Sequence, residues 1–293
     1  MRALVTGGGG FIGSHLVEKL HKEGHWVIGI DRKLLCDWSI GERVCDECFP
    51  IDILDQGKIF DLDLRFDVCF HLAADARIQP SFQNPVGYVQ DNVLGTARML
   101  ELSRKAGAYS FVYAGSSTAD DDVSKNVYAT TKIAGEQLCR AWHRCFGLQT
   151  SVARFYNVYG ERQVEEGQYA TVIGIWEKQF REGKPLTVTG TGTQRRDFTA
   201  VEDIVDGLYS IAITDHSLKC PTFNLGTGTN DCLLGLAQLF GSPIEFLPRP
   251  PGEAEQTLAD IEYSRMVLDW KPRRSIHEYI VNLVNKKNQE TAN

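Results

Sequence analysis

The chain lacks any apolar run of transmembrane length, and it contains no internal repeat or low-complexity tract. A strand-like segment begins at residue 2, so we expect no signal peptide. Acidic residues outnumber basic ones, giving a formal net charge of −7, so neither nucleic acid nor an anionic membrane is an expected partner. These absences predict a globular cytoplasmic protein, and its 43% hydrophobic and 24% charged residues are ordinary for that class.

Metal-ligand patterns are also missing. The eight cysteines include one close pair, Cys45 and Cys48, and no second Cys or His pair follows at ligand spacing. Cys69 lies in a strand-like run and Cys139 in a helix-like one, where a thiol serves as a small core side chain. We therefore expect reduced thiols and no metal site, with a zinc or redox role for the close pair as the alternative.

A glycine-rich turn follows the first apolar run. Glycines stand at positions 7, 10 and 13, directly after the strand-like residues 2–6 and before a helix-like stretch over 14–20. The first glycine permits a tight turn, the second lets a pyrophosphate approach the backbone, and the third lets helix pack on strand. The start of the helix then offers unpaired N–H groups to phosphate. The turn therefore predicts a dinucleotide-binding site.

An acidic residue, Asp31, ends the second strand-like segment. A carboxylate at this place binds both hydroxyls of the adenosine ribose and repels a 2′-phosphate. We therefore predict NAD rather than NADP as the cofactor, although the adjacent Arg32 and Lys33 favour the opposite choice. A solvated aspartate at the end of a strand is the alternative.

Strand-like and helix-like segments alternate in the first half of the chain. The predicted strands are Ala3–Thr6, Trp26–Asp31, Val68–Leu72, Phe111–Ala114 and Thr150–Ala153, and the predicted helices cover 14–23, 85–106 and 127–146. Such alternation indicates right-handed βαβ crossovers and a parallel sheet covered on both faces. The predicted fold class is α/β, a Rossmann-like doubly wound parallel sheet with a smaller C-terminal substrate-binding lobe.

The second half of the chain is less regular. Its predicted elements are a helix over Val172–Glu182, a hairpin over Leu186–Thr193, a helix over Asp203–Thr214, a strand over Thr222–Leu225 and a helix over Ser275–Lys287. Short elements rich in turns suit a lobe at the carboxyl edge of the sheet, where ligands bind. We predict an NAD-binding domain over 1–165, with 199–226 returning to it, and a mainly substrate-binding lobe over 166–293.

A phenol and an amine come together at the start of the predicted helix 127–146. Tyr128 and Lys132 are four residues apart, so they share one face of that helix. A phenol titrates near ~10, too high for a base at neutral pH, and a neighbouring ammonium favours the phenolate. The hydroxyl-rich segment 113–118 follows a predicted strand at the same sheet edge as the glycine turn. This combination predicts proton transfer beside a bound dinucleotide.

Together these features resemble the extended short-chain dehydrogenase/reductase family, in particular its NAD-dependent nucleotide-sugar epimerases and dehydratases. The resemblance runs nearly end to end. It rests on the glycine turn, His-Leu-Ala-Ala at 71–74, Asn-Val-Leu-Gly-Thr at 92–96, Arg-Phe-Tyr-Asn-Val-Tyr-Gly at 154–160, Gln-Arg-Arg-Asp-Phe at 194–198 and Asn-Leu-Gly-Thr-Gly at 224–228.

The resemblance implies a set of site residues. Ser116, Tyr128 and Lys132 match the catalytic residues, with Ser117 in place of Ser116 if the register differs by one. The implied NAD-binding residues are Gly7, Gly10, Phe11, Ile12, Gly13, Asp31, Arg32, Asp52, Ile53, Leu72, Ala73, Ala74, Asn92, Tyr128, Lys132 and Phe155. The implied substrate-binding residues are Ser81, Ser117, Asn157 and Arg196. Arg77 and Ser81 lie where relatives contact the sugar, and a solvated loop is the alternative there.

Three departures from the family pattern bear on the reaction. Dehydratases carry an Asp-Glu pair after the catalytic hydroxyl, whereas Ser117 and Thr118 stand here, which argues against dehydration and decarboxylation. Only eleven residues separate Ser116 from Tyr128, so the loop that covers the sugar in relatives is shorter. Glu255 stands where many uridine-diphosphate-sugar enzymes carry a phosphate-binding arginine, and Arg249 is the candidate replacement.

The resemblance thus implies an NAD-dependent epimerase of a nucleotide-diphosphate sugar, acting at C4, and a homodimer formed through helices matching 85–106 and 127–146. Tyr128 takes the hydroxyl proton while NAD accepts the hydride from the same carbon. Ser116 holds that oxygen, and Lys132 lowers the tyrosine pKa and binds the nicotinamide ribose. The keto sugar then turns over and is reduced on its other face. The alternatives are a nucleotide-sugar reductase, a 3,5-epimerase and a non-catalytic NAD-binding sensor.

Overall fold

The computed structural model describes residues 1–33, 45–120, 122–214 and 219–292. Its strands are β1 (Arg2–Thr6), β2 (Trp26–Asp31), β3 (Glu47–Pro50), β4 (Val68–His71), β5 (Ser110–Ser116), β6 (Thr150–Phe155), β7 (Val158–Tyr159), β8 (Leu186–Thr189), β9 (Arg195–Arg196), β10 (Thr199–Ala200), β11 (Thr222–Leu225), β12 (Asp231–Cys232) and β13 (Ile244–Leu247). Its α-helices are α1 (Phe11–Lys22), α2 (Gln56–Asp61), α3 (Ile78–Gln83), α4 (Pro85–Val89), α5 (Thr96–Ala106), α6 (Val127–Phe146), α7 (Val172–Arg181), α8 (Val201–Ile213), α9 (Leu233–Gln238), α10 (Glu262–Leu268) and α11 (Ile276–Ala292).

Seven parallel strands form the central sheet, in the order β11-β6-β5-β4-β1-β2-β3. The chain runs outward from β1 through β2 to β3, then returns to place β4 on the other side of β1. The strand order therefore reverses between β1 and β4, and a ligand-binding crevice is expected at the carboxyl edge there. The sheet confirms the predicted α/β, Rossmann-like fold class.

Both faces of the sheet are buried because side chains alternate along each strand. In β1, Ala3 and Val5 join a core cluster that contains α1 and α8 residues, whereas Leu4 points into the cluster on the other face. Met99 and Leu100 of α5 are fully buried in that second cluster. A parallel sheet covered in this way holds its carboxyl edge rigidly in place.

The second half contains its own cluster of buried apolar side chains, drawn from α7, α9, α11 and the β8–β13 pair. The predicted hairpin over Leu186–Thr193 is wrong. β8 ends at Thr189 and pairs in parallel with β13, in a register that places Leu186 opposite Ile244. Gly190 and Gly192, at φ 60° and 74°, do turn the chain, but the strand finds a distant partner. The division into domains stays a prediction.

The predicted helix over 85–106 is interrupted. Asn84 caps α4 by accepting a hydrogen bond from the Gly87 N–H at 3.2 Å, and a π-helical turn over Gln90–Gly95 leads into α5.

Near the far edge of the sheet, the sulfur atoms of Cys45 and Cys48 are joined in a disulfide, in place of the expected thiols. Within the described ranges, no three His, Cys, Asp or Glu side chains are grouped to hold a metal. No helix of the described part has the length and apolarity needed to span a bilayer.

Candidate active site

The glycine turn lies between β1 and α1 and is too tight for larger residues. Gly7 has φ +72°, and a Cβ there would lie 2.9 Å from the Ala73 amide nitrogen. A Cβ at Gly13 would lie 2.0 Å from the Gly7 carbonyl oxygen. α1 begins at Phe11, so Gly13 lies in its first turn, and the helix has no side-chain cap and no acidic residue in that turn. The start of α1 therefore presents backbone N–H groups and the positive end of its dipole, which suit a phosphate.

A cavity of about 660 Å³ opens beside this turn, a volume that suits a small-molecule ligand. The predicted site residues that line it are Gly7, Gly10, Phe11, Ile12, Gly13, Asp31, Arg32, Asp52, Ile53, Leu72, Ala73, Ala74, Ser116, Ser117, Tyr128, Lys132, Phe155 and Asn157. Sequence reasoning missed other residues of the lining, among them the polar residues Asp75, Tyr169 and Glu253. Nothing in their local sequence distinguishes them, since loops from the second half of the chain bring two of them to the cavity.

Among the predicted residues, Asn92 lies outside the described cavity lining and is almost fully buried. Its side chain accepts a hydrogen bond from the Asp75 N–H at 2.8 Å and donates to the Asp75 carbonyl at 2.9 Å. It also donates to the Thr131 hydroxyl at 3.0 Å. Asn92 therefore fixes the segment after β4 against α6.

Two predicted substrate-binding residues also lie outside the described lining. Ser81 is fully buried in α3, and its hydroxyl donates to the Ile78 carbonyl at 2.7 Å. Arg196 forms an ion pair with Glu253 at 3.0 Å, so a substrate phosphate would compete with Glu253 for it. Their roles toward substrate stay predictions.

The carboxylate of Asp31 is fixed at the end of β2. It accepts hydrogen bonds from the backbone N–H groups of Gly9 and Lys33, each at 3.0 Å. The adjacent Arg32 is turned toward two other carboxylates, Asp75 and Asp91, and lies 2.9 Å from each. The positive charge of Arg32 is therefore balanced inside the protein, which weakens the argument that it favours NADP.

Three chemically active side chains meet in the cavity at the ends of β5 and α6. Asn126 caps α6 by accepting a hydrogen bond from the Ala129 N–H at 2.8 Å, which sets Tyr128 in the first turn. Ser116 is the last residue of β5, and its hydroxyl interacts with the Tyr128 phenol. Lys132 lies one turn further along the same face of α6 and is 4% exposed.

The surroundings of Tyr128 and Lys132 on α6 shift the pKa of each side chain. Burial raises the pKa of Tyr128, while the Ser116 hydrogen bond and the charge of Arg77 favour its phenolate. Burial lowers the pKa of Lys132 to about 8, against the opposing charge of Glu136, and its ammonium lies 4.5 Å from the centroid of the Tyr113 ring. Perturbed groups of this kind cluster at functional sites. Sequence reasoning missed Arg77 as a cation that acts on this phenol.

The acidic residues after Ser116 are directed elsewhere. Asp120 pairs with Arg154 at 3.1 Å and accepts a hydrogen bond from the Tyr156 hydroxyl, and Asp122 caps the turn at 123–125. Asp121 lies outside the described residues. The described acids of this loop therefore do not supply the carboxylate pair that elimination of water requires.

The candidate phosphate-binding arginine of the second half, Arg249, forms an ion pair with Glu255 and donates to the Glu253 carbonyl at 3.0 Å. It does not appear among the described lining residues. Its suggested role in place of an arginine at position 255 stays a prediction.

Comparison with known proteins identifies the family. Residues 3–226 match the model of the NAD dependent epimerase/dehydratase family. The chain belongs to this family. The match spans both the glycine turn and the Ser116, Tyr128 and Lys132 cluster, so the predicted family and its NAD cofactor are confirmed.

Members of this family with assigned activities match over nearly the whole chain. A UDP-glucuronate 4-epimerase of Thermodesulfobacterium geofontis is 34% identical over 96% of this chain and 94% of its own length. A UDP-glucose 4-epimerase of Mycolicibacterium smegmatis is 31% identical, with 97% of each chain covered. The structure of the UDP-glucuronic acid 4-epimerase of Bacillus cereus, in complex with UDP-glucuronic acid and NAD, superposes with a TM-score of 0.86 at 27% identity, covering 98% of this chain and 100% of that one.

Proposed function

We propose that the protein is an NAD-dependent 4-epimerase of a uridine-diphosphate sugar. The observation that carries the proposal is that Ser116, Tyr128 and Lys132 all line the cavity that opens at the glycine turn. The epimerases that match this chain act on UDP-linked sugars, which supports the choice of nucleotide. The absence of a carboxylate pair after Ser116 favours epimerisation over dehydration.

The residues present fit NAD. Gly7, Gly10 and Gly13 line the cavity with backbone that no side chain covers, and the Asp31 carboxylate is held where a ribose is expected. When bound, NAD supplies the acceptor for the hydrogen at C4 and later returns it. Lys132, from the same helix face as Tyr128, would hold the nicotinamide ribose.

The side chains of this chain then perform the proton transfers. Tyr128, as phenolate, accepts the proton of the C4 hydroxyl, while Ser116 donates a hydrogen bond to that oxygen. The C4 carbonyl that results has no stereochemistry, so rotation of the keto sugar lets reduction occur on its opposite face. Tyr128 then returns the proton to the new hydroxyl. General acid–base catalysis of this kind contributes roughly 10²–10⁴-fold to the rate.

Substitution of the proton acceptor tests this function. Tyr128→Phe should lower turnover of UDP-glucuronic acid or UDP-glucose by at least ~10²-fold, because the ring stays but the acceptor is gone. NAD affinity, measured by titration calorimetry, should remain nearly unchanged. Lys132→Ala should lose both activity and NAD affinity, since the lysine serves the ribose as well.

Tyr263→Phe is the matched control, because it removes a phenol that is 41% exposed and lies outside the described lining of the cavity. It should retain full activity. If Tyr128→Phe retains most of the wild-type activity, Tyr128 is not the proton acceptor, and a different base or a non-catalytic NAD-binding protein becomes the better account.

A homodimer is part of the same proposal. Val86, Val89 and Leu94 are 45–66% exposed along α4 and the π-helical turn, and such an apolar face suits a twofold interface. Met99 and Leu100, further along the same predicted helix, are buried in the core of the chain itself and are not part of this face. Light scattering at micromolar concentration should give twice 32.8 kDa for the wild type. A mass of one chain would refute the dimer. Cytoplasmic location stays a prediction.

A further inference from the structure

Arg77 adopts a backbone conformation that is unusual for its residue type. Its φ is 82° and its ψ is 146°, directly before α3. A non-glycine residue held at positive φ is strained and persists only when its surroundings enforce it. Here the Tyr88 hydroxyl donates to the Ala76 carbonyl at 2.6 Å and to the Arg77 carbonyl at 3.0 Å. This strain, at a residue that lines the cavity, is a reason to look for a function.

The guanidinium of Arg77 has no acidic partner among the described residues. Its Nε donates to the Tyr169 carbonyl at 3.2 Å, and no carboxylate in the described ranges forms an ion pair with it. Two acids of the described cavity lining are already engaged, since Asp75 pairs with Arg32 and Glu253 pairs with Arg196. Charged groups shielded from water are normally paired. The cavity therefore presents a cation whose balancing anion does not come from the described residues.

Arg77 lies beside the reacting group rather than at the glycine turn. The rings of Tyr88 and Tyr128 pack edge to face with centroids 6.2 Å apart, so Tyr88 contacts the proton acceptor while it anchors the Arg77 backbone. The positive charge of Arg77 acts on Tyr128 directly and favours its phenolate. Burial also lowers the pKa of the Arg77 guanidinium, which remains protonated at neutral pH.

We propose that Arg77 binds a carboxylate on the sugar, next to the carbon at which Tyr128 acts, and so selects nucleotide hexuronates over neutral nucleotide hexoses. This inference rests on the proposed function, because that function places C4 of the sugar at Tyr128. In a hexuronate the carboxylate stands on C5, the neighbour of C4. The diphosphate is attached at C1, on the far side of the ring. The planar guanidinium matches a carboxylate with two parallel hydrogen bonds.

The test compares UDP-glucuronic acid with UDP-glucose, which differ only in that carboxylate. Arg77→Gln should lower kcat/KM for UDP-glucuronic acid by about 10–100-fold, the usual effect of losing a charge-assisted hydrogen bond. The value for UDP-glucose should fall by a factor about 10-fold smaller, because that substrate loses only the support that Arg77 gives the Tyr128 phenolate. Arg77→Gly, which adopts positive φ without strain, should show the same loss even if the glutamine variant folds poorly.

Arg65→Gln is the charge-matched control, since Arg65 is 68% exposed and pairs only weakly with Asp63 at 3.5 Å. It should leave both substrates unaffected. An equal loss for both substrates in the Arg77 variants would overturn the proposal. If that loss came with an upward shift of the acidic limb of the pH–rate profile, Arg77 would instead support the Tyr128 phenolate. Without a pH shift, an equal loss would indicate that Arg77 binds the diphosphate. No loss for either substrate would also overturn it.

Measurements of substrate binding test the role of Arg77 even if the proposed function is wrong. If the wild type epimerises neither compound, the proposed function fails, and calorimetric titration of both compounds then tests Arg77 by itself. Tighter binding of UDP-glucuronic acid by the wild type, lost in Arg77→Gln, would support the role of Arg77. Equal binding of both compounds by the wild type would refute it.

Discussion

Replacing Lys132 with methionine should stabilise the protein in the absence of NAD. The Lys132 ammonium is buried, and its pKa falls from 10.5 to about 8 on folding. The pKa of Lys132 is lower in the folded state than in the unfolded state, so its buried charge lowers the free energy of unfolding at neutral pH. This destabilisation becomes smaller as the pH rises above about 8. The difference between the two pKa values corresponds to a destabilisation of the folded state of about 3 kcal/mol at pH 7 and about 1.4 kcal/mol at pH 9.5.

Part of this gain is offset in the variant. Lys132→Met removes the contact with the Tyr113 ring, 4.5 Å away, which contributes roughly 1 kcal/mol. Because the folded lysine is neutral at pH 9.5, this offset applies only at pH 7, and the expected net stabilisation is about 2 kcal/mol at pH 7 and about 1.4 kcal/mol at pH 9.5. Urea unfolding of wild type and variant at the two pH values measures both differences.

The control for this comparison is Lys271→Met, at an exposed lysine without an ion pair to any described residue. It should leave the free energy of unfolding nearly unchanged at either pH. A Lys132→Met variant that is less stable than wild type at pH 7 would refute the reasoning. So would a stabilisation that stays the same at both pH values, because burial of the charge would then not be its cause.

Two further predictions concern the cofactor site. Gly13→Ala should abolish NAD binding and lower the melting temperature, because its Cβ would lie 2.0 Å from the Gly7 carbonyl oxygen, whereas Gly235→Ala, with nothing within 4 Å, should bind NAD normally. Unchanged NAD affinity in Gly13→Ala, measured by calorimetric titration, would contradict the assigned turn. The wild type should bind NAD more tightly than NADP, and Asp31→Ala should narrow that ratio by about 10-fold, because the repulsion of a 2′-phosphate is lost. A wild-type preference for NADP would show that Arg32 and Lys33 dominate.

Much of the sheet could be predicted because each strand carries its own local signal. Trp26–Asp31 and Thr222–Leu225 have the predicted bounds, and the other predicted strands of the sheet differ from the observed ones by one to three residues. Glu47–Pro50 was missed, because an edge strand of four residues that includes a proline lacks a strong apolar pattern. β8 was given the wrong partner, because a parallel pairing over about sixty residues leaves no trace in local turn chemistry.

The candidate site was predictable to the extent that it is built from contiguous motifs. The glycine turn follows β1, Asp31 ends β2, and the Tyr128–Lys132 pair lies at the start of the helix that follows β5, so their shared position at the carboxyl edge follows from the topology. Pairings between distant loops were not predictable. Arg196 is engaged by Glu253, and the guanidinium of Arg77 lies against the Tyr169 backbone; both contacts depend on how the second half of the chain folds over the cavity.

The reaction proposed for this protein is inversion of C4 of a UDP-linked sugar by transient oxidation with NAD. Proton NMR in D₂O measures this reaction, with NAD and either UDP-glucuronic acid or UDP-glucose as the substrate. The C4 epimer should accumulate with its C4 hydrogen retained, with no deuterium at C3 or C5 and no net change in NADH absorbance. Deuterium incorporation at C3 or C5 would indicate a 3,5-epimerase, and net NADH turnover would indicate a reductase. Either result, or the absence of the C4 epimer with both substrates, would contradict the proposed reaction.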